Sequence, residues 1–165
     1  MTVEAFAVEA REFCQWARSP GSGPASARQA LVRLASIYLA GLHLPPPWHP
    51  SLPSEPQVED IALEEKMAIY AAASALPVAA YSVVFDPLAV PSEVPVVGDL
   101  PDDIADIYAD ILRGLRLYEA GSLHEALWEW GFNFRIHWGQ HAASGIRALH
   151  AFLAANEPDM LSGGA

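Results

Sequence analysis

The chain is poor in sulfur and in positive charge. Among 165 residues there is one cysteine, Cys14, so neither an intrachain disulfide nor a cysteine zinc cluster can form. Lys and Arg number 9 against 20 Asp and Glu. The resulting net charge of −11 repels phosphate backbones and argues against nucleic-acid binding. The opening residues, M-T-V-E-A-F-A-V-E-A-R-E, carry acids where a signal peptide needs basic residues before an apolar run. This predicts a reduced, cytoplasmic protein. There is no Gly-rich phosphate loop, and Ser82 and Ser144 sit in no nucleophile elbow.

Long apolar runs are scarce too. Met67 to Phe85 is free of charge for 19 residues, about the length of a bilayer span. It is rich in alanine, is interrupted by Pro77, and is flanked by Glu64, Glu65 and Asp86 with only Lys66 as a cation. Two core segments meeting at Pro77 suit that pattern better than a membrane helix, so no membrane partner is expected.

What is present is material for a core. The chain is 52% apolar and 18% charged, which excludes disorder along its whole length. Proline marks the joints: 11 of 14 prolines fall in 45–56 and 77–101. The first stretch, P-P-P-W-H-P-S-L-P-S-E-P, reads as a stiff connector pinned by Trp48.

Between the joints the apolar spacing is helical. Residues 3–18 align Phe6, Ala10, Phe13, Cys14 and Ala17 on one stripe, which makes Cys14 inert packing. Pro24 opens a second helix with Ala27, Leu31, Leu34, Tyr38 and Leu42 inward. A third is predicted over Val58–Leu76, with Leu63, Met67, Tyr70 and Ser74 inward and Glu59, Asp60, Glu64 and Glu65 outward. The segment from Pro77 to Gly98 is either a short helix or a buried extended piece. Asp99 or Asp102 caps a strong fourth helix that stops at Gly121. Ser122 and Glu125 form an S-x-x-E capping box for the next.

Two periods compete near the C-terminus. Trp128, Trp130, Phe132, Phe134, Ile136 and Trp138 alternate like a strand. The capping box and H-E-A-L argue for helix, and a strand there has no evident partner. Helix is therefore the reading, broken near Gly139. The expected fold is an all-α, roughly antiparallel bundle of five to six helices with proline-rich connectors. It forms a single domain over 1–157, followed by a frayed tail over 158–165.

From Phe85 to His150 the motifs F-D-P, G-D-L-P-D-D-I-A-D-I-Y, W-E-W and H-W-G-Q-H-A resemble an uncharacterised family of small bacterial proteins catalogued as a domain of unknown function. The resemblance covers about two fifths of the chain. It implies a helical domain in a bacterial cytoplasm and carries no activity or site residues.

Two groups of side chains can do chemistry. Asp102, Asp103, Asp106 and Asp110 fall within one ~100° sector of the fourth helix. Acids so placed can hold a hard cation or work as acid and base. Because Ile104, Ile107, Tyr108, Ile111, Leu115 and Tyr118 lie roughly opposite, a solvated acidic face is expected. Residues 59–110 hold 11 acids and one base, which suits a basic partner surface. Trp128 and Phe132, off the main stripe, would add an aromatic patch at such an interface.

His137 and His141 stand one helical turn apart, a spacing that lets two imidazoles reach one metal. Trp138 stands where an H-E-x-x-H motif has its glutamate. A carboxylate would have to come from Asp86, Asp99 or Asp106. The plainer reading is two boundary histidines bonded to carbonyls or acids. The sequence therefore favours a non-enzymatic module that binds a protein partner or a second copy of itself, with no cofactor. The alternative is a metal-dependent, hydrolase-like bundle using His137, His141 and Asp106 with a divalent ion.

Overall fold

The computed structural model describes residues 2–45 and 58–156. The stiff connector pinned by Trp48 and the tail over 158–165 lie outside the described residues. Within them the chain forms α1 (Val3–Ala17), α2 (Pro24–Leu42), α3 (Leu63–Ala73), β1 (Ala80–Val83), β2 (Val96–Asp99), α4 (Leu100–Glu119), α5 (Leu123–Ile136) and α6 (Trp138–Asn156). The helical bundle read from periodicity is what forms, with one small sheet added.

The local reasons are visible at the helix ends. The Thr2 hydroxyl accepts the Ala5 N–H at 3.2 Å to cap α1. Pro24 occupies the first position of α2. The Asp99 carboxylate accepts the Asp102 N–H at 3.2 Å, and Gly121, at φ +84°, follows the Ala120 C-cap of α4. Ser122 caps α5 by position only: its side chain makes no capping hydrogen bond, so the expected capping box is not formed.

Helix α4 is the centre of the fold. It packs against α1, α3, α5 and α6, while α2 lies on α1 and α6. Being covered on several sides, α4 buries Leu100, Ile104, Ala105, Ile107, Tyr108, Ile111 and Leu117 almost completely. The α1 stripe is inward as predicted, and burial pushes the Cys14 thiol up to about 12, so it stays protonated and inert.

Two predicted faces were rotated. In α2 the buried line is Ala27, Ala30, Leu34 and Ile37, and Leu42 is exposed. In α3, which begins at Leu63 and not at Val58, Leu63, Met67 and Ser74 face out, and Ile69 and Ala73 face in. Its three charged residues, Glu64, Glu65 and Lys66, are consecutive and spread over about 200° of the helix, so spacing selects no face. Polar pairs to α4 set its rotation instead. Glu65, expected outward, accepts from Tyr108 Oη at 2.6 Å and from Arg116 Nη2 at 3.0 Å.

The segment left open between helix and extended chain is extended, in part. β1 and β2 pair antiparallel, with Ala80 opposite Asp99 and Val83 opposite Val96. The strands are half-buried to exposed, not a core layer. β2 runs directly into α4, so Asp99 ends a strand and caps a helix at once.

The alternating aromatic run is helical. Trp130 sits fully buried against Gly114 of α4 and donates from Nε1 to the Ile111 carbonyl at 3.0 Å. A Cβ on Gly114 would lie 2.2 Å from that nitrogen. Gly114→Ala should therefore destabilise the fold by roughly 3 kcal/mol, through overpacking plus a broken buried hydrogen bond. Chemical denaturation would read this as a lowered midpoint; an unchanged midpoint would contradict the packing.

Candidate metal centre

The acidic row on α4 does not form a solvated face. Asp102 is exposed, Asp103 is buried, and Asp106 and Asp110 are half-buried. What covers the row is the junction between α5 and α6. The helix breaks at His137, two residues before the predicted point, where φ −142° and ψ −88° leave the helical region. At Gly139 a Cβ would lie 2.2 Å from the Phe134 carbonyl oxygen, so the tight turn there requires glycine. The break lays the first turn of α6 across α4.

Both histidines then meet the acids. His137 Nδ1 lies 2.7 Å from Asp110 Oδ2, and His141 Nδ1 lies 2.7 Å from Asp103 Oδ1. His141 Nε2 is 3.9 Å from Asp106 Oδ2. The two rings sit edge to face with centroids 4.8 Å apart. On the other flank Lys66 of α3 donates to Asp106, and Tyr81 of β1 donates to Asp103. Tyr81 reaches that position because it stands opposite Gly98, where a Cβ would strike its ring at 2.6 Å.

One ligand atom each from Asp106, His137 and His141 lies within 4.8 Å of the others. Asp106 is thus the carboxylate that joins the histidines among the three named in advance; Asp86 and Asp99 do not. Asp99 is engaged by Tyr70 Oη at 3.1 Å, and Asp86 caps its own turn by accepting from the Leu88 N–H at 2.9 Å. Sequence reasoning missed Tyr81, which carries no local signal. Lys66 did carry one: it is the only lysine in the chain and the only base in an acidic stretch.

The electrostatics follow from crowding and partial burial. Burial raises the Asp110 carboxyl, partly offset by His137. Burial and then the nearby Asp106 raise Asp102. The hydrogen bond to Asp103 raises the His141 imidazole, and the bond to Asp106 raises Lys66.

Trp128 and Phe132 stack on each other, with centroids 4.8 Å apart and planes 8° from parallel. They are half-buried and line a cleft of about 440 Å³ together with Asp110 and Arg113. Beside them Glu129 is buried, and it is held by Arg113 Nε at 3.1 Å and Asn133 Nδ2 at 2.9 Å.

A family described as Domain of unknown function (DUF5063) matches residues 1–155. The chain belongs to this family. The match includes the residues before Phe85, to which the motifs did not extend. No protein of curated function matches the chain. Protein BF1032 from Bacteroides fragilis, a solved crystal structure, has the same fold: the TM-score is 0.71 at 24% identity, over 88% of this chain and 87% of that one. None of the helices in the described residues of this DUF5063 chain is long and apolar enough to cross a membrane.

The raised groups give a signed pH dependence. His141 titrates higher folded than unfolded, so its stabilisation is full below about 6.5 and is lost as pH rises through the folded value. Asp102, Asp110 and Glu129 are also raised, so their contributions fade as pH climbs above about 4. All four act in one direction. With a chelator present, the melting temperature should fall between pH 6 and 8.5, by roughly 2–4 °C for each kcal/mol lost. His141→Gln should flatten that slope. A melting temperature rising over that interval would refute the assignment.

Proposed function

We propose that the chain is a divalent-metal-binding helical bundle of hydrolase type, with Asp106, His137 and His141 as ligands. The observation that carries the reading is the pairing around the two imidazoles. Each Nδ1 is engaged by its own carboxylate, Asp103 for His141 and Asp110 for His137. With Nδ1 protonated, each ring donates to an acid and keeps Nε2 as a lone-pair donor, the arrangement typical of metal-bound histidine. Two borderline nitrogens and one carboxylate oxygen suit Zn²⁺, Mn²⁺ or Fe²⁺ better than Ca²⁺. Three protein ligands leave a coordination position for water or substrate. A metal bound there would lower the pKa of its water and supply a nucleophile near neutral pH.

Lys66 is the counter-ion of Asp106. A metal must displace it, so removing its charge should favour metal. The alternative of a protein-interaction module on Asp102, Asp103, Asp106 and Asp110 has less support. Three of those acids spend their carboxylates on partners inside the chain.

Elemental analysis and calorimetric titration with Zn²⁺ and Mn²⁺ test the reading. The expected result is one ion per chain, lost in the His137→Ala, His141→Ala double variant. Lys66→Met should tighten binding about tenfold, equivalent to roughly 1.4 kcal/mol. Wild-type protein that binds no ion, or a double variant that binds as well as wild type, would overturn it.

A further inference from the structure

A second feature lies beside the metal centre and does not depend on it. Between the β-hairpin and the first turns of α4 and α6 runs a cleft of about 740 Å³, a volume suited to a small organic ligand. Its floor includes Asp102, Asp103 and His141; neither Asp106 nor His137 lines it. Its opposite wall is hydrocarbon. Phe85, Leu88 and Val97 line the cleft and are 80%, 86% and 81% exposed. Such clustered apolar side chains in water mark a binding surface.

Charge selects the occupant. Among the described residues, the carboxylates of Asp86, Asp99, Asp102 and Asp103 line the cleft, and no Lys or Arg does. Even with His141 protonated, the lining is negative. Carboxylate and phosphate ligands are repelled, and a cation is drawn in. Three of the four carboxylates are already occupied: Asp86 by the Leu88 N–H, Asp99 by Tyr70 and its capping role, and Asp103 by Tyr81 and His141. The Asp102 side chain accepts no hydrogen bond among the described residues. Burial, and then crowding by Asp106, Asp99 and Asp103, hold its carboxyl above the usual range, although Lys66 offsets part of that repulsion. A bound cation relieves that crowding.

We infer that this cleft binds an alkylammonium ion, with its charged nitrogen on the Asp102 carboxylate and its apolar chain along Phe85, Leu88 and Val97. The two halves of the site demand the two halves of the ligand. An ammonium without a chain leaves the hairpin wall wet, and a chain ending in a carboxylate meets four like charges.

Binding of butyl-, hexyl- and octylammonium is measured by NMR titration of the full chain in EDTA, with hexanoate and hexanol as controls. The expected result is affinity that rises about threefold per added methylene, with shifts confined to the hairpin and the starts of α4 and α6. Hexanol should bind more weakly and hexanoate not at all. Asp102→Asn should weaken hexylammonium at least fivefold. Leu88→Ser, at an exposed position and so without cost to folding, should flatten the chain-length series. Equal binding of hexylammonium and hexanoate, or an unchanged affinity in Asp102→Asn, would overturn the assignment. Because the titration is done without metal, a failure of Asp106, His137 and His141 to bind an ion leaves this result standing, and the reverse also holds.

Discussion

Taking a carboxylate out of water costs several kcal/mol unless hydrogen bonds or opposite charge replace the lost solvent. Helix α4 puts three carboxylates in that position at once, on the central element of the fold. The surrounding structure is arranged to answer this. α3 brings Lys66 to Asp106, β1 brings the Tyr81 hydroxyl to Asp103, and the α5–α6 junction brings one imidazole to Asp103 and another to Asp110. Three separate segments converge because one helix carries a row of acids inward. The same logic governs the lower half of α4, where Arg116, Tyr108 and Arg18 gather around Glu65.

The break at His137 is the geometric counterpart of that demand. An unbroken helix through residues 123–156 would hold both imidazoles on its own face, at the ordinary one-turn spacing. By leaving helical geometry at His137 and restarting at Trp138, the chain packs two rings edge to face over α4 and still buries Trp130 and Trp138 fully. Gly139 makes the turn possible, since any side chain there would strike the Phe134 carbonyl. The aromatic alternation that resembles a strand is thus a helix with large rings on two sides. Trp130 faces α4 and α1, Trp128 and Phe132 stack at the edge of a cleft, and Phe134 packs on Tyr38 and Trp138.

Legibility varied with how much each element's face depends on its neighbours. The α1 stripe was readable because Phe6 and Phe13, with small residues between them, dominate one side and charged residues the other. Caps were readable where a single residue does the work, as at Asp99 and Gly121. The α3 face was not, because its charged residues are consecutive and its remainder is mostly alanine, which leaves no preferred side until Glu65 and Lys66 meet α4. The hairpin stayed ambiguous for a related reason: neither four-residue strand is stable alone, and each exists only by pairing across 12 intervening residues.

The amino-acid sequence by itself determined the helical character, the positions of most helix ends, the inward-facing cysteine, and the candidates for the side-chain cluster on α4: two histidines a turn apart and an aspartate among few. It could not say which way the acidic row of α4 points. Amphipathicity assigns a helix one inner face, and that rule misleads for a helix surrounded by neighbours on several sides. Only the tertiary structure decided that Asp103, Asp106 and Asp110 look toward His137, His141 and Lys66. The burial cost of a carboxylate is offset by partners distant along the chain, and their arrival is a property of packing, not of local spacing.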